Sequence, residues 1–98
     1  MRARYLVSYD ISDAKRWRKL YRTLRGFGDA IHYSVFQCDL SATEHVLLRM
    51  KLVELIHHEQ DRVMIVHLGP VDGRVKERIE VMGRPGQSGP LERIAVVI

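Results

Sequence analysis

The chain has one cysteine, Cys38, in 98 residues. A single thiol excludes an intrachain disulfide and any zinc site built from Cys-x-x-Cys pairs. Long hydrophobic runs are missing too: the longest are Val63-Met64-Ile65-Val66 and Ile94-Ala95-Val96-Val97-Ile98. A membrane helix needs about 18 or more apolar residues, so no membrane partner is expected. The basic start of the chain has its apolar stretch broken by Ser8 and Asp10, which leaves no legible secretory signal. A cytoplasmic location is the expectation. Histidine is present at five positions but never in a His-x-x-x-His spacing, and the adjacent His57 and His58 diverge on a helix. Gly26-Phe27-Gly28 lacks the third glycine of a dinucleotide fingerprint and follows a helical pattern instead of a strand. Ser34 has His32 two residues away, a neighbour on one strand face and no triad.

What is present is ordinary in bulk and uneven in detail. Apolar residues make up 46% and charged residues 29%, values of a globular chain long enough for one domain and one core. The net charge is +4, with a sequence pI near 9.6. Residues 1–28 carry eight Lys or Arg against Asp10 and Asp13, a net of +6; residues 29–98 carry eight against ten, a net of −2. A basic first third on a mildly acidic remainder suits an anionic partner met by one face.

Residues 4–11 are rich in β-formers and alternate loosely, as a strand covered on both faces does. Ser12-Asp13 supplies a helix N-cap and a first-turn acid. Trp17, Leu20, Tyr21 and Leu24 then fall at helical spacing on one face, with Gly26 as the expected C′ residue. Residues 29–40 read as extended, either one long strand or two pivoting near Ser34, and no Asn-Gly or Asp-Gly decides between them. Ser41-Ala42-Thr43-Glu44 fits a capping box for a helix running to about His57, with Leu48, Leu52, Leu55 and Ile56 toward the core. Arg62–Leu68 reads as a strand stopped by Gly69-Pro70, and residues 71–82 stay ambiguous. Residues 83–90 have a loop composition, and Leu91–Ile98 ends in a β-branched run.

With two strands in residues 29–40, the order is β-α-β-β-α-β. That is an α+β, ferredoxin-like fold over residues 1–82 with an additional C-terminal strand. Residues 83–98 form the loop and the tail strand, which can add to an edge in its own chain or in a second copy. Two helices cover one sheet face. The other face stays open and apolar, which calls for a partner, and a two-fold homodimer is the natural one.

Two features can carry chemistry. Asp10 ends the first strand just before the helix, at the rim where ligand sites collect. It either caps the turn or holds a metal. Mg²⁺ accepts one or two carboxylates with water and phosphate completing its shell, and two copies of Asp10 near a two-fold axis would supply two. The second feature is the row Lys15, Arg18, Lys19 and Arg22, with Arg16 and Arg25 beside it. It is either a solvated face or a set of sequence-independent phosphate contacts.

The order and spacing of Tyr9-Asp10-Ile11-Ser12-Asp13 before a basic helix, Phe27-Gly28, Tyr33-Ser34-Val35-Phe36 and Asp39-Leu40-Ser41 resemble CRISPR-associated protein two. That family is the small partner of the CRISPR spacer integrase. The resemblance runs over about residues 4–68, and the tail fits as well. It implies a ferredoxin-like homodimer whose C-terminal strand packs on the other subunit. It also implies a Mg²⁺ ligand at Asp10 (Mn²⁺ as a substitute) at the dimer interface, and endonuclease activity on RNA or DNA. The sequence departs from the usual pattern at Trp17, Ala30, His32 and Gln37. Three functions follow as expectations. The first is a metal-dependent endonuclease of CRISPR adaptation, with Asp10 catalytic and Lys15, Arg16, Arg18, Lys19 and Arg22 on nucleic acid. The second is a non-catalytic dimeric scaffold for duplex DNA and the integrase. The third is a single-stranded RNA-binding module stacking bases on Tyr5, Tyr9, Tyr33 and Phe36.

Overall fold

The computed structural model describes residues 1–84 and the backbone strand Val96–Val97. The elements run β1 (Ala3–Asp10), α1 (Ala14–Arg25), β2 (Asp29–His32), β3 (Val35–Leu40), α2 (Ala42–Leu55) and β4 (Arg62–Pro70). A 3₁₀ turn (Val75–Arg78), β5 (Val81–Met82) and β6 (Val96–Val97) follow. The main sheet has the order β2-β3-β1-β4, with every neighbour antiparallel. This is the expected α+β ferredoxin-like arrangement, with β1 and α1 leading to β2 and β3 inserted between the two strands.

β1 is central, and its alternation decides the layers. Tyr5, Val7 and Tyr9 are buried against the helices, whereas Leu6 and Ser8 are half-buried and Asp10 exposed on the other side. Phe36, Cys38 and Leu40 of β3 join the buried side, as do Leu20 and Leu24 of α1 and Leu48 and Leu52 of α2. Leu55 and Ile56 pack at the edge of this core, as their spacing predicted. Tyr5 stacks on His45 of α2 with ring centroids 4.5 Å apart, which docks α2 on the central strand. Burial pushes the Cys38 thiol up to about 12, so it is a neutral core group.

Residues 29–40 form two strands joined by a tight Tyr33-Ser34 turn. The turn lacks the usual hairpin residues. It is held instead from the neighbouring strand, where the Tyr9 N–H donates to the Ser34 carbonyl at 3.1 Å. Gly26 is the C-cap of α1 with an ordinary φ of −75°, not a left-handed C′ residue, and its N–H closes the last turn. Gly28 is the glycine that packing requires: a Cβ there would lie 2.7 Å from Cys38 Sγ. The expected stop of the last sheet strand at Gly69-Pro70 is also corrected. β4 continues through both, opposite Arg4 and Ala3, because Gly69 takes φ +117° and Pro70 sits at the end of an edge strand.

The ambiguous 71–82 segment holds the 3₁₀ turn, whose Val75 is buried, and β5. β6 pairs in parallel with β5 of its own chain. Residues 85–95 and 98, most of the predicted loop and tail strand, lie outside the described residues. No helix among the described residues is long and apolar enough to cross a membrane.

Candidate metal centre and nucleic-acid interface

Asp10 is the last residue of β1 and is exposed. In the antiparallel ladder it stands opposite Arg62, the first residue of β4, which is also exposed. Directly opposed residues project from the same face of a sheet, so a carboxylate and a guanidinium share this corner of the open face. Neither belongs to the ion pairs of the described residues, which are Arg2–Glu44, Arg4–Asp39 and Arg16–Asp61. Arg62 went unnoticed in the sequence because only the β1–β4 register brings it beside Asp10.

The backbone after Asp10 is fixed by a carboxylate from far along the chain. Asp61 accepts from the Ser12 N–H at 3.0 Å, the Ser12 hydroxyl at 3.2 Å and the His57 N–H at 2.8 Å. It also accepts from Arg16 Nε at 2.7 Å and Nη2 at 3.2 Å. The Asp61 side chain is fully enclosed. These donors, the Arg16 guanidinium first, hold its carboxyl well below the usual carboxylate range. Asp13 caps α1 by accepting the Arg16 N–H at 2.9 Å, and that bond lowers its carboxyl as well. The segment between Asp10 and α1 is therefore tied down at Ser12, Asp13 and Arg16.

This separates Arg16 from the other predicted phosphate contacts. Its guanidinium is committed to Asp61, with Ser12 Oγ and Gln60 Oε1 each at 3.3 Å. The spacing carried the signal: Arg16, Leu20 and Leu24 are four residues apart, so Arg16 heads the inward face of α1. Lys15, Arg18, Lys19 and Arg22 are exposed and in no ion pair among the described residues. They form a cationic row about two turns long.

Between these parts lies a cleft of about 260 Å³ lined by Tyr9, Asp10, Ile11, Trp17, Tyr33 and Ser34. The Tyr9 hydroxyl is buried without a hydrogen-bond partner, and burial raises its pKa. Tyr5, Tyr9 and Phe36 are core residues on the helix-covered side. They offer no platform for bases on the open sheet face, which corrects that mode of RNA stacking. Tyr33 is 74% exposed at the β2–β3 turn.

The donor set fits Mg²⁺ as half a site. No group of three or more metal-ligating side chains occurs among the described residues. One chain thus offers one carboxylate, Asp10, and water, substrate phosphate and a second copy would complete six oxygens.

A family model described as CRISPR associated protein Cas2 matches residues 1–72. The chain is 37% identical over 94 residues to the CRISPR-associated endoribonuclease Cas2 of Geobacter sulfurreducens, covering 96% of each protein. It is 38% identical over 94 residues to a Cas2 endoribonuclease of Rhodospirillum rubrum, covering 96% of this chain and 89% of the relative. Among solved structures, a hypothetical protein of Thermus thermophilus superposes with a TM-score of 0.73 at 33% identity, covering 87% of this chain and 95% of the other. Streptococcus pyogenes Cas2 superposes with a TM-score of 0.70 at 24% identity, covering 82% and 99%, a likeness of fold. A ferredoxin-like sheet, an Asp10 at its rim and these matches along nearly the whole chain lead to one assignment: the protein belongs to the Cas2 family of CRISPR-associated proteins.

Proposed function

We propose that the protein is a Mg²⁺-dependent endonuclease of CRISPR adaptation that works as a homodimer on nucleic acid. The observation that carries this reading is Asp10, an exposed carboxylate on a fixed strand end, facing Arg62 and flanked by the free cations of α1. Lys15, Arg18, Lys19 and Arg22 bind phosphates along a strand, and Arg62 takes the charge of a phosphate placed over Asp10. Asp10 holds the divalent ion, which when bound polarises a phosphodiester and acidifies its water. Asp61 keeps the segment after Asp10 from moving, so the carboxylate meets the phosphate in one geometry.

The second copy rests on the open sheet face. Leu6 is half-buried there, and Met64 and Val66 are 57% and 36% exposed. β1–β4 register groups these side chains on one surface, where burial against a second copy is favourable. The Asp10 corners of two such sheets then supply two carboxylates.

A scaffold role, in which the dimer holds duplex DNA and the CRISPR integrase without cutting, is favoured by the free row on α1, which reads phosphate and not sequence. Asp10→Asn separates the two readings. It keeps the shape and removes the charge. Cleavage of RNA and DNA with Mg²⁺ or Mn²⁺ is expected to fall to the EDTA background, with the dimer intact by light scattering. Cleavage at the wild-type rate would remove Asp10 from the chemistry. Loss of cleavage with spacer integration unchanged would make the scaffold the working role.

A further inference from the structure

We propose that the cleft beside Asp10 is a stacking pocket for one unpaired nucleobase, so that the substrate strand is single at the point of attack. The inference deepens the nucleic-acid reading above and rests on it.

Two aromatic side chains border the cleft from different elements, Trp17 on α1 and Tyr33 on the β2–β3 turn. Neither is needed by the core. Tyr33 is 74% exposed, and it makes no ring contact or side-chain hydrogen bond among the described residues. Trp17 is 38% exposed, although it lies at the helical spacing of buried Leu20 and Leu24. Tyr21 stacks on the indole with centroids 5.2 Å apart and planes 19° from parallel, which fixes its orientation. Tyr21 in turn meets Phe36 of β3 edge-on at 5.2 Å. The indole is thus a braced platform at the rim of the protein.

The polar lining narrows the ligand. The carboxylate of Asp10 repels an anion inside the cleft and accepts hydrogen bonds from ring N–H groups. The Ser34 hydroxyl donates or accepts. A neutral planar ring with N–H and carbonyl edges satisfies both, and every base has a π-face for Trp17 and Tyr33. At about 260 Å³ the cleft is below the ordinary range for a whole drug-sized ligand, and one ring system suits it. The cations of α1 lie on the helix that carries Trp17, so the phosphates flanking that base have partners outside the cleft. A base in a duplex is hidden between its neighbours and cannot enter without leaving the stack. The ligand is therefore a nucleotide of a single strand, a loop or an overhang.

The sequence holds one tryptophan, so intrinsic fluorescence reports on Trp17 alone. The full chain is titrated at low salt, without metal, with a short oligothymidylate, the same strand annealed to its complement, and a strand of equal length made of abasic sites. The single strand is expected to quench Trp17, while the duplex and the abasic strand bind through phosphates without quenching. Tyr33→Ala removes an exposed ring and is expected to weaken single-strand binding about 5- to 150-fold, with duplex affinity unchanged. Tyr33→Phe keeps the ring and is expected to restore affinity. Wild-type single-strand affinity in Tyr33→Ala, or equal quenching by all three ligands, would overturn the pocket while leaving the cationic row in place. Failure of every strand to bind would overturn the pocket and the nucleic-acid reading together.

Discussion

The two helices cover the same sheet face and differ in everything they show to solvent. Each buries two leucines, Leu20 and Leu24 in α1, Leu48 and Leu52 in α2. Outside, α1 carries Lys15, Arg18, Lys19 and Arg22, whereas α2 carries Val46, Leu47, Met50 and Val53 at 45–58% exposure. The caps differ too. Asp13 alone caps α1, while Ser41 and Glu44 close a reciprocal capping box on α2. The inward halves answer to packing and are interchangeable in kind. The outward halves are free of that demand, and α1 has used the freedom to collect charge.

The strongest way to break the comparison is to attack what the helices share. Leu20→Ala and Leu48→Ala are each expected to cost about 2–5 kcal/mol in denaturant unfolding. A large difference between the two would show that one helix is dispensable to the core. The next effect tests the division of labour. Changing Lys15, Arg18, Lys19 and Arg22 to Gln is expected to cut the salt slope of duplex binding by about 3.6, at roughly 0.9 per phosphate contact. Changing Arg49 and Lys51 of α2 in the same way is expected to leave that slope unchanged. An equal loss from both helices would dissolve the contrast.

A smaller effect concerns Asp61, which braces the start of α1 and has no counterpart on α2. Its carboxyl lies below its unfolded value, so its contribution is full above the ordinary carboxylate range and is lost as the pH falls through the folded value. Wild type is expected to exceed Asp61→Asn in denaturant midpoint at neutral pH, and the gap is expected to narrow below about pH 4. A gap independent of pH would mean that shape, not charge, is what Asp61 supplies. The smallest effect is expected on the outer face of α2. Met50→Gln and Val53→Thr should change unfolding free energy by no more than about 0.5 kcal/mol.

Periodicity made the buried halves legible. The positions of Leu20, Leu24, Leu48 and Leu52, and the Ser41 cap, follow from spacing and local chemistry alone. The hairpin at Tyr33-Ser34 was not legible, because its anchor is a backbone bond from Tyr9 and no turn residue marks it. Asp10 was legible as a strand end, but its neighbour Arg62 depends on register, and register is a property of two segments. The cleft drew Trp17 out of the predicted apolar face for the same kind of reason. A helical stripe wider than the core it covers leaves its last member at the rim. Arg16 shows the reverse case, a cation among cations whose partner lies 45 residues away.

The bonds to Asp61 also set a timetable. A ribosome releases β1 and α1 first, and Ser12 then waits for a partner 49 residues behind it. At about 5–20 residues per second that wait lasts roughly 2–10 seconds. Both neighbours of β1 in the sheet, β3 and β4, are also made after it. The nascent chain therefore carries Asp10, the cationic row and Trp17 well before the clamp that holds them in place has been synthesised. A message truncated ahead of residue 61 would yield all of these groups without the fastening that makes them a site.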